Sequence, residues 1–173
     1  GNQLLSHIRA VDALVHVVRC FHDEHVAHVT GAISPRQDIE VVETELMLAD
    51  LQAVERRLER LEKLARGAKA DRAQTLRQIE IFQRLREALE EERTVREVGL
   101  TQEEQAAIRD VELLTDKTIV LVLNIGEDQI GQETPATQAF AAYASEHGYT
   151  WIALCAKVEA EVAQLDPQEE SEF

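Results

Sequence analysis

An α/β fold with a parallel sheet is predicted by two apolar runs flanking one helix-length segment in this 173-residue chain. Residues 118–123 read TIVLVL and residues 149–155 read YTWIALC, while residues 135–147 between them have helical composition and stop at Gly148. Glycine tolerates the left-handed turn that ends many helices. Strand, helix and strand joined by short links make a βαβ unit, and its two strands must run parallel. A third run, VDALVHVVRC at 11–20, is similarly apolar and β-branched. A continuous run of that length reads as a strand buried on both faces. Residues 1–9 read as the end of a helix entering this strand.

Between the first and second strands the periodicity changes from strand to helix. Pro35 stands where a first-turn proline is tolerated. Met47, Leu51, Val54, Leu58, Leu61 and Ala65 then follow at alternating spacings of four and three, the pattern of a coiled-coil seam. Arg66-Gly67 breaks it. A second helix is expected over about 70–92, with Leu76, Ile79, Phe82, Leu85 and Leu89 turned inward. The pair makes an antiparallel hairpin about 40 Å long at about 1.5 Å per residue. The seam is too short for a dimer zipper and predicts self-packing in a monomer. Thr101 and Glu104, in capping-box spacing, open a third short helix leading back to the sheet. The organisation expected is 1–34 and 113–173 as parts of one α/β domain, with 35–112 as an inserted helical hairpin.

Charge and composition exclude several function classes. The chain carries 33 acidic and 18 basic residues, a net charge of -15, which argues against a protein that coats nucleic acid generally. No apolar run approaches bilayer length, so no membrane partner is expected. Cys20 and Cys155 form no disulfide framework or zinc motif, which points to a reducing, cytoplasmic setting. They would end strands two places apart, about 9–10 Å at the usual strand spacing, beyond the reach of a disulfide. The charge is also uneven. Arg56, Arg57, Arg60, Lys63, Arg66, Lys69, Arg72 and Arg77 face only Glu59, Glu62 and Asp71 over the same stretch. This basic cluster falls at the hairpin tip and is a candidate RNA contact; the competing reading is a solvated hairpin with i,i+4 pairs.

Ligands of parallel α/β sheets bind at loops following the strands. After the second strand the chain reads Asn124-Ile125-Gly126-Glu127, and after the third Cys155-Ala156-Lys157. An asparagine at a strand end, with a carboxylate three residues on, can present an amide and an acceptor to a purine edge. The second loop can close over the same base through backbone amides, with Lys157 nearby. The competing reading makes Asn124 a turn cap and Glu127 surface. His22, His25 and His28 crowd one loop at spacings of three, which suits either an open-ended metal site or a solvated loop, with no metal ligand set completed.

These residues resemble the YchF subfamily of Obg-like P-loop nucleotidases over essentially the whole chain. The carrying segments are GNQLLSHIR (1–9), HVVRCF (16–21), DIEVVETELMLADLQAVERRLERLEKLARG (38–67), LLTDKTIVLVLNIGED (113–128) and CAKVEAEVAQL (155–165). The resemblance implies a partial P-loop NTPase (G-domain) sheet with a coiled-coil insertion. It places the P-loop, the switch regions and a C-terminal TGS domain outside this stretch, which alone would not hydrolyse a nucleotide. It further implies that Asn124 contacts the base, Ile125 lines it, and Ala156 and Lys157 belong to the closing loop. Guanine-specific relatives carry Asn-Lys-x-Asp here; Ile125 and Glu127 replace the Lys and Asp, so ATP is the expected nucleotide, with Mg2+ held by the half outside this chain. The resemblance also implies a water-positioning role for His28, and ribosome or ribosomal RNA as partner of Arg56, Arg57, Arg60, Lys63, Arg66 and Lys69. The expected function is thus part of a ribosome-associated, ATP-hydrolysing regulatory switch. The alternative is a nucleotide-independent coiled-coil adaptor or RNA-binding module.

Overall fold

The computed structural model describes residues 2–21, 33–67 and 71–165, and among them the α/β class holds. The elements run α1 (Asn2–Arg9), β1 (Ala13–Arg19), α2 (Pro35–Ala65), α3 (Arg72–Glu90), α4 (Gln102–Ile108), β2 (Thr118–Asn124), α5 (Pro135–Glu146), β3 (Thr150–Leu154) and α6 (Ala156–Val162). The strands form one sheet in the order β1-β2-β3, so β2 is central. β2 and β3 are parallel, with Leu121 opposite Trp151 and Asn124 opposite Leu154. This is the βαβ unit expected: Pro135 opens α5 behind the Thr134 cap, and Gly148 closes it at φ +69°.

The described chain divides into two compact units. One comprises Gly1–Leu14 with Val41–Thr118, the other Val15–Glu40 with Ile119–Phe173.

In the second unit the core lies on one face of the sheet. Val18, Leu121 and Leu123 pack with Ile39 from the start of α2 and with Phe140, Tyr143 and Ala144 of α5. Phe140 meets the Trp151 ring edge-on at 5.3 Å, a favoured aromatic geometry. Only central β2 is buried on both faces, where Leu121, Val122 and Leu123 are all buried. β1 departs from the expectation: Val18 is 1% exposed, but Val15 is 66% and Val17 58% exposed. Side chains alternate across a strand. The helices cover the Val18 face and leave the Val15–Val17 face open, and Ile152 of β3, paired with Val122, is open as well.

In the first unit α2 and α3 pack as a hairpin. Val54, Leu58 and Leu61 from α2 meet Phe82, Leu85 and Leu89 from α3, with Met47, Leu51 and Ile79 against them. Leu76 does not turn inward. It is exposed, and Thr75 takes the buried position with its hydroxyl donating to the Asp71 carbonyl at 3.1 Å. Thr75 stands seven residues before Phe82, on the same helical face. Asp71 caps α3 by accepting from the Gln74 N–H. The α4 capping box forms as spelled: Thr101 Oγ1 accepts from Glu104 N, and Glu104 Oε2 accepts from Thr101 N at 2.9 Å. An unforeseen 3-10 turn, Val95–Val98, is closed by Glu97, whose Oε2 accepts from the Thr94 N–H at 2.6 Å and from the Thr94 hydroxyl at 2.9 Å.

One buried carboxylate ties the unit together. Asp50 of α2 is fully buried and accepts from the Leu114 and Thr115 backbone N–H groups and from the Thr115 hydroxyl, each at 2.7 Å. Burial pushes its carboxyl above the usual carboxylate value, and the three donors pull it partly back.

Candidate functional site

Two loops at the ends of adjacent parallel strands meet in the second unit. β2 ends at Asn124 and β3 at Leu154, and Ile125 N–H donates to the Leu154 carbonyl at 2.9 Å, continuing the ladder into the loops. Cys20, following β1, donates its N–H to the Asn124 carbonyl at 2.8 Å. Asn124 is therefore held on both sides by backbone. Its side chain spans the gap: Oδ1 accepts from the Ala156 N–H at 3.0 Å. With the oxygen so used, the carboxamide Nδ2 is left as a donor beside an open cavity of about 610 Å³.

Phe21, Asn124, Ile125, Glu127 and Lys157 all line that cavity. The Asn124-to-Glu127 loop is shaped by a residue the sequence reading did not single out. Gln129 Oε1 accepts from the Gly126 N–H at 2.8 Å while its own N–H donates to the Gly126 carbonyl at 3.0 Å. The signal was present: Gln129 stands three residues after Gly126, the spacing of a reciprocal cap. Glu127 begins a 3-10 turn, Glu127–Gln129, and its carboxylate Oε2 lies 3.3 Å from Lys157 Nζ. Both side chains are mostly solvent-exposed, and the Glu127 carboxylate holds the Lys157 ammonium above the usual lysine value.

Each proposed base-loop residue has a definite place. Asn124, Ile125, Glu127 and Lys157 converge on one cavity, and Ala156 takes part through its N–H. That N–H is committed to Asn124, so the second loop acts on the site by fixing the asparagine. Cys20 and Cys155 also line the cavity and are free and buried, as their strand positions on either side of β2 require. Burial pushes the Cys20 thiol up, which suits a packing role.

The hairpin cations sort into two groups. Arg57 reaches Asp110 with Nη2–Oδ2 at 2.7 Å and lies over the Phe82 ring at 5.6 Å, and Lys63 pairs with Glu59 at 2.7 Å. Arg56, Arg60 and Arg66 are exposed and hold no ion pair among the described residues. Lys69, like His22, His25 and His28, lies outside the described residues. Among the described residues no three His, Cys, Asp or Glu side chains cluster to hold a metal, and no helix is long and apolar enough to cross a membrane.

No family model matches the sequence. Individual relatives do. The chain is 41% identical over 177 residues to the ribosome-binding ATPase YchF of Bacillus subtilis (strain 168), and 38% identical over 173 residues to that of Escherichia coli O157:H7. Both alignments cover all of this chain and 47% of the relative. Obg-like ATPase 1 of Saccharomyces cerevisiae is 34% identical over 129 residues, 73% of this chain and 33% of that protein. The solved structure of the Schizosaccharomyces pombe YchF GTPase superposes with a TM-score of 0.89 at 29% identity, over 99% of this chain and 47% of that one. The chain thus spans about half the length of the relatives it matches, and over that span it belongs to the YchF/Obg-like ATPase family.

Proposed function

We propose that this chain is the base-recognition part and helical arm of a ribosome-associated, ATP-preferring nucleotidase that acts as a regulatory switch in the cytoplasm. One observation carries the reading: the Asn124 Oδ1 to Ala156 N–H bond at 3.0 Å locks two strand-end loops together at a cavity that Asn124 lines, with the asparagine Nδ2 not engaged by that bond. A fixed donor of this kind suits a purine ring nitrogen. Ile125 supplies an apolar wall, and a glutamate stands where a guanine-reading site uses an aspartate.

The sequence contains no GxxxxGK[ST] motif. Phosphate and Mg2+ binding, and the hydrolysis they support, therefore fall in this proposal to the rest of the full-length protein. The task of this chain is to hold and orient the base. His28 is proposed to position the attacking water; in the full-length protein His28→Ala should lower turnover while leaving ATP affinity intact, and unchanged turnover would remove the role. The 35–112 insertion is proposed as the arm that reaches ribosomal RNA, with Arg56, Arg60 and Arg66 free for phosphates.

The deciding experiment is Asn124→Ala in the full-length protein. It removes the donor and leaves the Ala156 N–H without its acceptor, so ATP affinity measured by calorimetry should fall about 10–100-fold, the range for losing one well-aligned base contact. Unchanged affinity with intact folding would favour the adaptor reading, in which the α/β part is only a platform for the hairpin.

A further inference from the structure

We propose that Lys157 sets the base selectivity of this site by engaging the Glu127 carboxylate, so that the two side chains act as one adenine-matching unit. The inference rests on the proposed base site and adds a determinant to it.

The chemistry follows from the edges of the two purines. Guanine offers two adjacent donors, its ring N1–H and exocyclic N2–H, and a free carboxylate accepts both at once. Adenine offers one donor, N6–H, beside one acceptor, N1. A free carboxylate meets that edge badly, because one oxygen faces a lone pair. A carboxylate whose Oε2 is held by an ammonium is different. It presents one open acceptor, Oε1, beside a cation that still has hydrogens to donate. That is one acceptor beside one donor, the complement of adenine.

The structure supplies this arrangement. Glu127 and Lys157 come from different loops and different strands, 30 residues apart, yet Nζ and Oε2 stand 3.3 Å from each other at the cavity lined by Asn124. Both loops are anchored: Gln129 holds Gly126 next to Glu127, and Asn124 holds Ala156 next to Lys157. The pair is solvent-exposed, and in that state an ion pair contributes little by itself and is screened by salt. A base seated over it removes water from one side and strengthens the interaction. Selectivity, more than the stability of the empty protein, is then what Lys157 controls.

The test is the ratio of ATP to GTP dissociation constants in the full-length protein, measured for four variants alongside wild type. Lys157→Met frees the carboxylate and should shift the ratio about tenfold toward GTP, by analogy with discrimination by one bidentate contact. Lys157→Arg keeps a cation and should retain the wild-type ratio. Glu127→Gln with Lys157→Met replaces the double acceptor by an amide, so the GTP gain should vanish. An unchanged ratio in Lys157→Met overturns the proposal, and so does a gain that survives in the double variant or appears equally in Lys157→Arg. Asn124→Ala separates the two levels. If it weakens both nucleotides while Lys157→Met leaves the ratio alone, the base site stands and the selectivity role falls; if it weakens neither, the base site itself is misplaced.

Discussion

Asp50→Ala is expected to destabilise the helical unit by about 3–5 kcal/mol, read as a lower urea midpoint without a change in slope. The carboxylate accepts three hydrogen bonds at 2.7 Å from Leu114 and Thr115, two of them from backbone N–H groups that lie in buried surroundings. Alanine removes every acceptor at once, and the N–H groups bear the cost of lost hydration without compensation. The loss should also depend on pH. Burial is the largest influence on this carboxyl and raises it above its ordinary value of 3.8. A group that binds its proton more tightly when folded contributes most below its unfolded value, and that contribution is lost as pH rises through the folded one. The stability gap between wild type and Asp50→Ala should therefore be widest below pH 3.8 and narrow as pH rises above it through the folded value. A gap that widens over that window would show that the three donors outweigh burial.

What the sequence disclosed, and what it hid, follows from which interactions are local. The βαβ unit was legible because run length, β-branching and Gly148 are properties of short segments. The capping box of Thr101 and Glu104 was legible for the same reason. Which faces of β1 end up covered is a tertiary matter, and VDALVHVVRC reads identically whether one face or two are packed. Leu76 failed because apolar spacing alone ignores the competing preference of Thr75 to bond back to Asp71. Asp50 stands three residues after Met47 and four before Val54, on the seam-facing side of α2, and a polar residue there marks a buried partner elsewhere in the chain. Its partners at 114 and 115 are too distant in sequence to be read from periodicity. At the site, the order of Asn124-Ile125-Gly126-Glu127 and Ala156-Lys157 on neighbouring strands was enough to bring the loops together. The Asn124 to Ala156 bond and the Glu127 to Lys157 pair depend on rotamers and loop turns, which spacing does not specify.

The largest functional effect is expected from reversing charge on the hairpin. Arg56, Arg60 and Arg66 are exposed and without ion pairs among the described residues, so replacing all three by glutamate should leave the α2–α3 core intact. If they contact ribosomal RNA, affinity for purified ribosomes at low salt should fall at least 100-fold. The reason is that each lost phosphate contact also loses its counterion release, worth about 0.7–0.9 in the slope of log affinity against log salt. Three contacts predict a slope shallower by about 2–3. Arg57 makes a poor probe, because it bonds Asp110 and lies over Phe82; its loss would mix packing with charge. Lys63 is already paired with Glu59, and its reversal should matter less than that of any of the three. Cosedimentation at several salt concentrations reads both quantities. Equal affinity and equal slope in the triple variant would make the hairpin a solvated arm whose ribosome contact, if any, is elsewhere. Nucleotide affinity is the internal control: the cavity proposed to hold the base is lined by residues of the other compact unit, so ATP binding in the absence of ribosomes should not change.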